Sequence, residues 1–117
     1  MLKAKLWLIL IFGILSLNSC SNDSLVKKVE KEILPIEVKM LKYKFIPQIL
    51  EIKVGQTVKW INVEKRQYHS VWFEQQGEDE SDYMFPGDFL NKQFLKPGRY
   101  PYRCGPHPEM VGTIIVN

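Results

Sequence analysis

The chain has 117 residues, enough for one small domain with a single core, and its 45% hydrophobic content excludes a chain disordered throughout. Lys and Arg number 16 against 13 Asp and Glu, a net of +3 that falls to +1 without Lys3 and Lys5. So small an excess argues against a phosphate-binding surface and hence against nucleic acid as a partner. With two cysteines (Cys20 and Cys104) and two histidines (His69 and His107), few groups are available for chemistry.

Lys3 and Lys5 precede an apolar run, residues 6–15, that is too short to cross a bilayer comfortably but suits a signal segment. The run leads into Leu17-Asn18-Ser19-Cys20, which resembles a bacterial lipobox. That resemblance implies a lipoprotein signal peptide over residues 1–19 and acyl chains on Cys20, which would anchor the protein to a membrane. It implies export to the periplasmic side, and Ser21, where an Asp would mark inner-membrane retention, points to an outer-membrane destination in a Gram-negative host. Residues 20–35 read as a tether. Within it Leu25, Val29 and Ile33 recur every four residues behind Ser24, so a short helical turn is expected there. Its lysines would rest against lipid headgroups or simply be solvated.

From Ile36 the hydrophobic period changes to two. Ile36, Val38 and Met40 alternate with charged residues, and so do Leu50, Ile52 and Val54. Gly55-Gln56 makes a turn into Val58, Trp60 and Asn62. Further strands are predicted at Val71 to Phe73, Phe89 to Leu95, Gly98 to Arg103 and Thr113 to Val116, with a turn at Lys96-Pro97-Gly98. This pattern predicts an all-β, antiparallel sandwich with one buried face per sheet over residues 36–117. Pro101 sits inside a predicted strand, so it should lie at an edge or bulge, or face outward. Tyr100, Tyr102 and Cys104 share a face by parity.

The segment Cys104-Gly105-Pro106-His107-Pro108-Glu109-Met110 carries the chemistry. It spaces a thiolate, an imidazole and a thioether at intervals of three in a Pro-rich loop. Cys and Met are soft ligands and His is borderline, a set that suits copper in both oxidation states. The prolines flanking His107 limit backbone freedom before any metal arrives. A second imidazole could come only from His69, in a loop after the strand ending at Asn62.

Taken with Phe45-Ile46-Pro47, the run from Ile52 to Asn62 and His69-Ser70-Val71, this segment resembles the cupredoxins, the type 1 blue copper proteins. The short Cys-x-x-His-x-x-Met loop is of the amicyanin kind, with pseudoazurin and plastocyanin as further relatives. The resemblance implies a cupredoxin-like Greek-key β-sandwich holding one copper ion. It implies Cys104, His69 and His107 as ligands and Met110 as a weak axial ligand, with Ser70 and Asn62 supporting them. The Ser70 amide would donate to the cysteine sulfur. It further implies a monomeric carrier of single electrons, not an enzyme. Partners would be redox proteins such as a c-type cytochrome, a dehydrogenase or an oxidase, docking where His107 reaches the surface among Pro106, Pro108 and Pro47. Many relatives have Asn after the first histidine and Thr after the cysteine. Here Ser70 and Gly105 stand there, so the tie between the two loops is expected to be weaker or rebuilt.

Two other readings compete. Zinc also takes Cys and His, but it has no use for Met110. A membrane-anchored copper carrier or sensor would hand the ion over, yet the chain lacks Met-rich or His-rich tracts. A binuclear centre needs a second cysteine in the domain, and catalytic copper needs further histidines. The acidic run Glu78 to Asp82 reads as a solvated loop, or as a patch for a basic partner.

Overall fold

The computed structural model describes residues 23–117. The expected signal peptide and the expected lipidation at Cys20 lie outside the described residues. The first element is α1, Asp23–Ile33, a full helix of three turns rather than a single turn. Leu25, Val26, Val29 and Ile33 fall on one stripe, and none of the helix is buried.

Seven strands follow: β1 (Ile36–Leu41), β2 (Lys44–Ile46), β3 (Ile49–Ile52), β4 (Thr57–Asn62), β5 (Phe89–Gln93), β6 (Gly98–Arg103) and β7 (Val111–Val116). They form a four-stranded sheet in the order β2-β1-β4-β5 and a three-stranded sheet in the order β3-β7-β6. The expected sandwich is present, but it is not purely antiparallel. β1 runs parallel to β4, with Val38 beside Trp60, and β3 runs parallel to β7. The cause is a change of sheet: β3 joins the opposite layer, so the chain re-enters beside β1 travelling in the same direction.

The alternation read from the sequence sets the core. Val38, Met40, Val58 and Trp60 point inward from one sheet, and Ile52, Tyr102, Ile114 and Val116 from the other. Burying each such side chain contributes about 1.5–3 kcal/mol. The aromatic rings interlock edge to face: Trp60 lies 5.5 Å from Tyr102, and Phe45 lies 4.7 Å from it. Burial pushes the Tyr102 phenol well above its ordinary range.

Pro101 is accommodated at an edge, since β6 ends the three-stranded sheet. The N–H and C=O of Arg103 bond Trp72, away from β7. Pro101, two residues earlier, presents its nitrogen in that same direction, so no ladder bond is lost.

Two features of the strand pattern differ from the sequence reading. Val71 to Phe73 is not a regular strand. Only Trp72 pairs, by an isolated bridge to Arg103, before a short 3-10 helix at Glu74–Gln76. Strand β2 was not anticipated, because the turn before it, Lys42-Tyr43, has no turn-forming residue. Both residues nevertheless take positive φ, 52° and 58°. Leu41 pairs with Lys44, so this is a two-residue hairpin of the type normally filled by Asn-Gly. The acidic run is the exposed loop that was expected, and it is also tied back to the fold. Ser81 bonds Val71 through its backbone and its hydroxyl, Glu78 pairs with Lys92 at 2.8 Å, and Glu80 reaches Ser70.

Candidate metal centre

The site lies where the β6–β7 loop meets the loop that follows β4. The second loop is held from below by Asn62, the last residue of β4 and only 1% exposed. Its side-chain amide donates to the carbonyls of Gln67 and Met84, both at 2.8 Å, and its oxygen accepts the Glu64 N–H at 2.9 Å. His69 also exchanges two backbone bonds with Met84. These ties give His69 a fixed position with no solvent exposure. Across the site, the Cys104 N–H donates to the Met110 carbonyl and the Met110 N–H to the His107 carbonyl, both at 2.9 Å. The loop is therefore closed on itself as a compact turn.

The donor atoms converge. Cys104 Sγ lies 3.8 Å from His69 Nδ1 and 3.5 Å from His107 Nδ1, and the two Nδ1 atoms are 3.3 Å apart. The three ligand atoms all lie within 4.8 Å of one another. Ligand bonds of about 2.0 Å to nitrogen and 2.3 Å to sulfur would place three such atoms at these separations around one ion. The donor set thus fits a single metal ion without rearrangement. Cys104 is fully buried, Met110 is buried beside it, and His107 is partly exposed.

The surroundings prepare these groups. The Ser70 N–H donates to Cys104 Sγ at 3.3 Å, as the sequence resemblance implied. Glu64 Oε1 sits 3.3 Å from His69 Nε2 and accepts the Lys42 N–H as well. A proton held on Nε2 leaves Nδ1 as a free lone pair facing the sulfur. Burial and the neighbouring His69 hold the His107 imidazole below its ordinary pKa, against an opposing pull from Glu64. A neutral imidazole is the form that ligates.

The tie between the loops is rebuilt rather than weakened. The Ser70 hydroxyl accepts the Gly105 N–H at 2.8 Å and donates to Glu80 Oε1 at 2.7 Å. Arg103 adds bonds from Nη1 to the carbonyls of Cys104 and Gly105, at 3.2 and 3.3 Å. Its Nε binds Glu74 at 2.7 Å, which draws the Glu74 carboxyl below its ordinary pKa.

At the surface, Pro106, His107 and Pro108 line one depression together with Lys42, Tyr43, Lys44, Glu109 and Met110. Tyr43 stands edge-on to His107 at 4.8 Å. Tyr68, stacked near Tyr83 and Phe85, lies 6.5 Å from His107. Pro47 is exposed after β2 and does not line that depression. Sequence reasoning did not single out Glu64, Glu80, Tyr43 or Arg103. Only Gly105 offered a signal: a residue without a side chain beside the thiolate leaves room for something else.

A Cys–His–His cluster between the loops at one end of a two-sheet sandwich defines the class: a small β domain built around one soft-metal site. The chain belongs to the cupredoxin-like domain family, whose pattern matches residues 7–116. It is 37% identical over 84 residues to amicyanin-alpha of Methylorubrum extorquens, covering 68% of this chain and 70% of that one. Amicyanin of Paracoccus versutus is 30% identical over 130 residues, covering 98% and 95%. The solved structure of amicyanin from Paracoccus versutus superposes with a TM-score of 0.66 at 33% identity, over 71% of this chain and 81% of that one. A copper-containing nitrite reductase from Thermus scotoductus matches at a TM-score of 0.66 and 33% identity over 72% of this chain. The chain spans only 22% of that enzyme.

Proposed function

We propose that this protein is an exported, lipid-anchored type 1 copper protein that carries single electrons between redox partners. The supporting observation is the convergence of one thiolate and two imidazole Nδ1 atoms within 4.8 Å. Cys104, His69 and His107 would hold the ion, with Met110 as a further, weak ligand. Bound copper supplies a one-electron Cu(II)/Cu(I) couple, and the soft sulfur donors suit both states. The chain's own part is to keep the donors fixed, so that little moves when an electron arrives.

His107 is the ligand that reaches the surface, and electrons would pass through its ring. Pro106 and Pro108 rim it, with Tyr43 and Tyr68 extending the apolar area. Redox encounters use small interfaces of this kind. The acidic and basic side chains nearby, Glu109, Lys42 and Lys44, would orient a partner such as a c-type cytochrome, a dehydrogenase or an oxidase. Cys20 would carry the acyl chains, and residues 20–35 would space the domain from an outer membrane.

The reading is tested by adding Cu(II) to the purified protein and recording visible absorption and EPR through cycles of reduction and reoxidation. An intense blue thiolate-to-copper band with narrow copper hyperfine splitting, reversible over cycles, is expected. A pale complex with wide splitting, or preferential retention of zinc, would overturn it.

A further inference from the structure

Glu80 lies ten residues beyond Ser70, in the acidic run, yet its carboxylate is turned into the metal centre's frame. A β-carbon built on Gly105 would overlap the Glu80 carboxylate. Only a residue without a side chain can follow Cys104 while that carboxylate is in place. Gly105 does not have positive φ, so backbone conformation does not explain the glycine. What fills the space beside it is the carboxylate end of the exposed Glu80 side chain, which a β-carbon would displace.

The consequence runs through one hydroxyl. Ser70 has a single hydroxyl proton, and the Glu80 carboxylate takes it at 2.7 Å. The lone pairs of Ser70 Oγ are thereby directed to the Gly105 N–H at 2.8 Å. A hydroxyl whose proton is bound by an anion is also the stronger acceptor, so the two bonds reinforce each other. Ser70 follows His69, and its own N–H donates to the Cys104 sulfur. One side chain from a third loop thus fixes the contact between the two loops that carry the donors.

We propose that Glu80 is a positioning residue of the metal centre: through Ser70 Oγ it locks the His69 loop to the Cys104 loop, and Gly105 is glycine to admit it. This inference rests on the copper reading above. A wild-type protein without the blue band would refute that reading, whereas the variants below test the tie.

The test combines Glu80→Ala, Glu80→Gln, Gly105→Ala and the double variant Glu80→Ala/Gly105→Ala. Each is measured for Cu(II) affinity, for the position and intensity of the thiolate-to-copper band, and for melting of the metal-free protein. Losing a residue that orients a ligand lowers metal affinity about 10- to 100-fold, and Glu80→Ala is expected to do so with a changed band. Glu80→Gln keeps an acceptor for the Ser70 hydroxyl and should recover most of the affinity and the wild-type band. Gly105→Ala should match the Glu80→Ala defect, because the methyl group expels the carboxylate. The double variant should be no worse than either single variant, since the methyl then enters vacated space. Equal defects in Glu80→Ala and Glu80→Gln would overturn the proposal, because keeping an acceptor for the Ser70 hydroxyl would then make no difference. Additive losses in the double variant would overturn it too, as would a Glu80→Ala protein with unchanged affinity and band. If Glu80→Ala does not fold, the comparison of Glu80→Gln with Gly105→Ala decides: the proposal requires a strong defect only in the second.

Discussion

Asn62 is the point where the fold and the metal centre are most directly joined, and Asn62→Leu isolates that role. Leucine matches the branched shape and heavy-atom count but is bulkier, so three hydrogen bonds are deleted and any overpacking at this buried position adds to the loss. At about 1 kcal/mol net for each, the loss is about 3 kcal/mol. The full penalty for orphaned groups does not apply, because the Met84 carbonyl still accepts the His69 N–H at 3.1 Å and Gln67 and Glu64 are not buried residues. For a domain of this size the loss should lower Tm by about 12–24 °C. Urea unfolding of the metal-free protein, followed by tryptophan fluorescence, should show a lower midpoint with an unchanged slope. Copper affinity should fall as well, because the Glu64 amide held by Asn62 carries the carboxylate that orients His69. A stability loss below about 1 kcal/mol would refute the reasoning and show that the loop is positioned by other contacts.

Three further outcomes follow from the same geometry. Glu64→Ala removes the acceptor from His69 Nε2 and should reduce Cu(II) affinity about 10- to 100-fold, measured by competition with a chelator. The metal-free protein should lose stability as pH falls below about 6.5, seen as a falling Tm. The folded state holds His107 below its ordinary pKa, so the unfolded chain binds its proton first and gains from acid; a Tm that rises on acidification would contradict this. Replacing Lys42-Tyr43 with Asn-Gly relieves two positive-φ positions at the cost of the Tyr43 contact with His107, and the net should stabilise the fold by about 1 kcal/mol. It should also move the His107 pKa, followed by NMR, back toward its ordinary value, since Tyr43 no longer covers the ring.

What could be read from the sequence depended on whether the signal was local. The inward residues of β4 and β6 were legible because side-chain period in a strand is two, and Trp60, Tyr102 and Cys104 are buried as parity requires. The Cys104 to Met110 loop was legible because its donors lie within seven residues and prolines fix their spacing. The direction of β1 against β4 was not legible, since hydrophobic alternation is the same for parallel and antiparallel neighbours. Neither was β2, whose hairpin lacks the usual glycine and is held by contacts to His107 and Glu64. Glu80 was hidden for a related reason. Amid Glu78, Asp79 and Asp82 it has the composition of a solvated loop, and only folding brings it to Gly105.

The edge at β6 bears on how such a protein behaves when many copies are held close together. An open sheet edge is a template on which another chain can add a strand. On the outer side of β6, Arg103 has both backbone groups committed to Trp72, and Pro101 has no N–H to offer. A foreign strand approaching there would meet no free donor over those two outward positions. The proline that looked out of place within a strand thus removes a donor from the outer side of β6 and, with Trp72 on Arg103, hinders strand addition at that part of the edge.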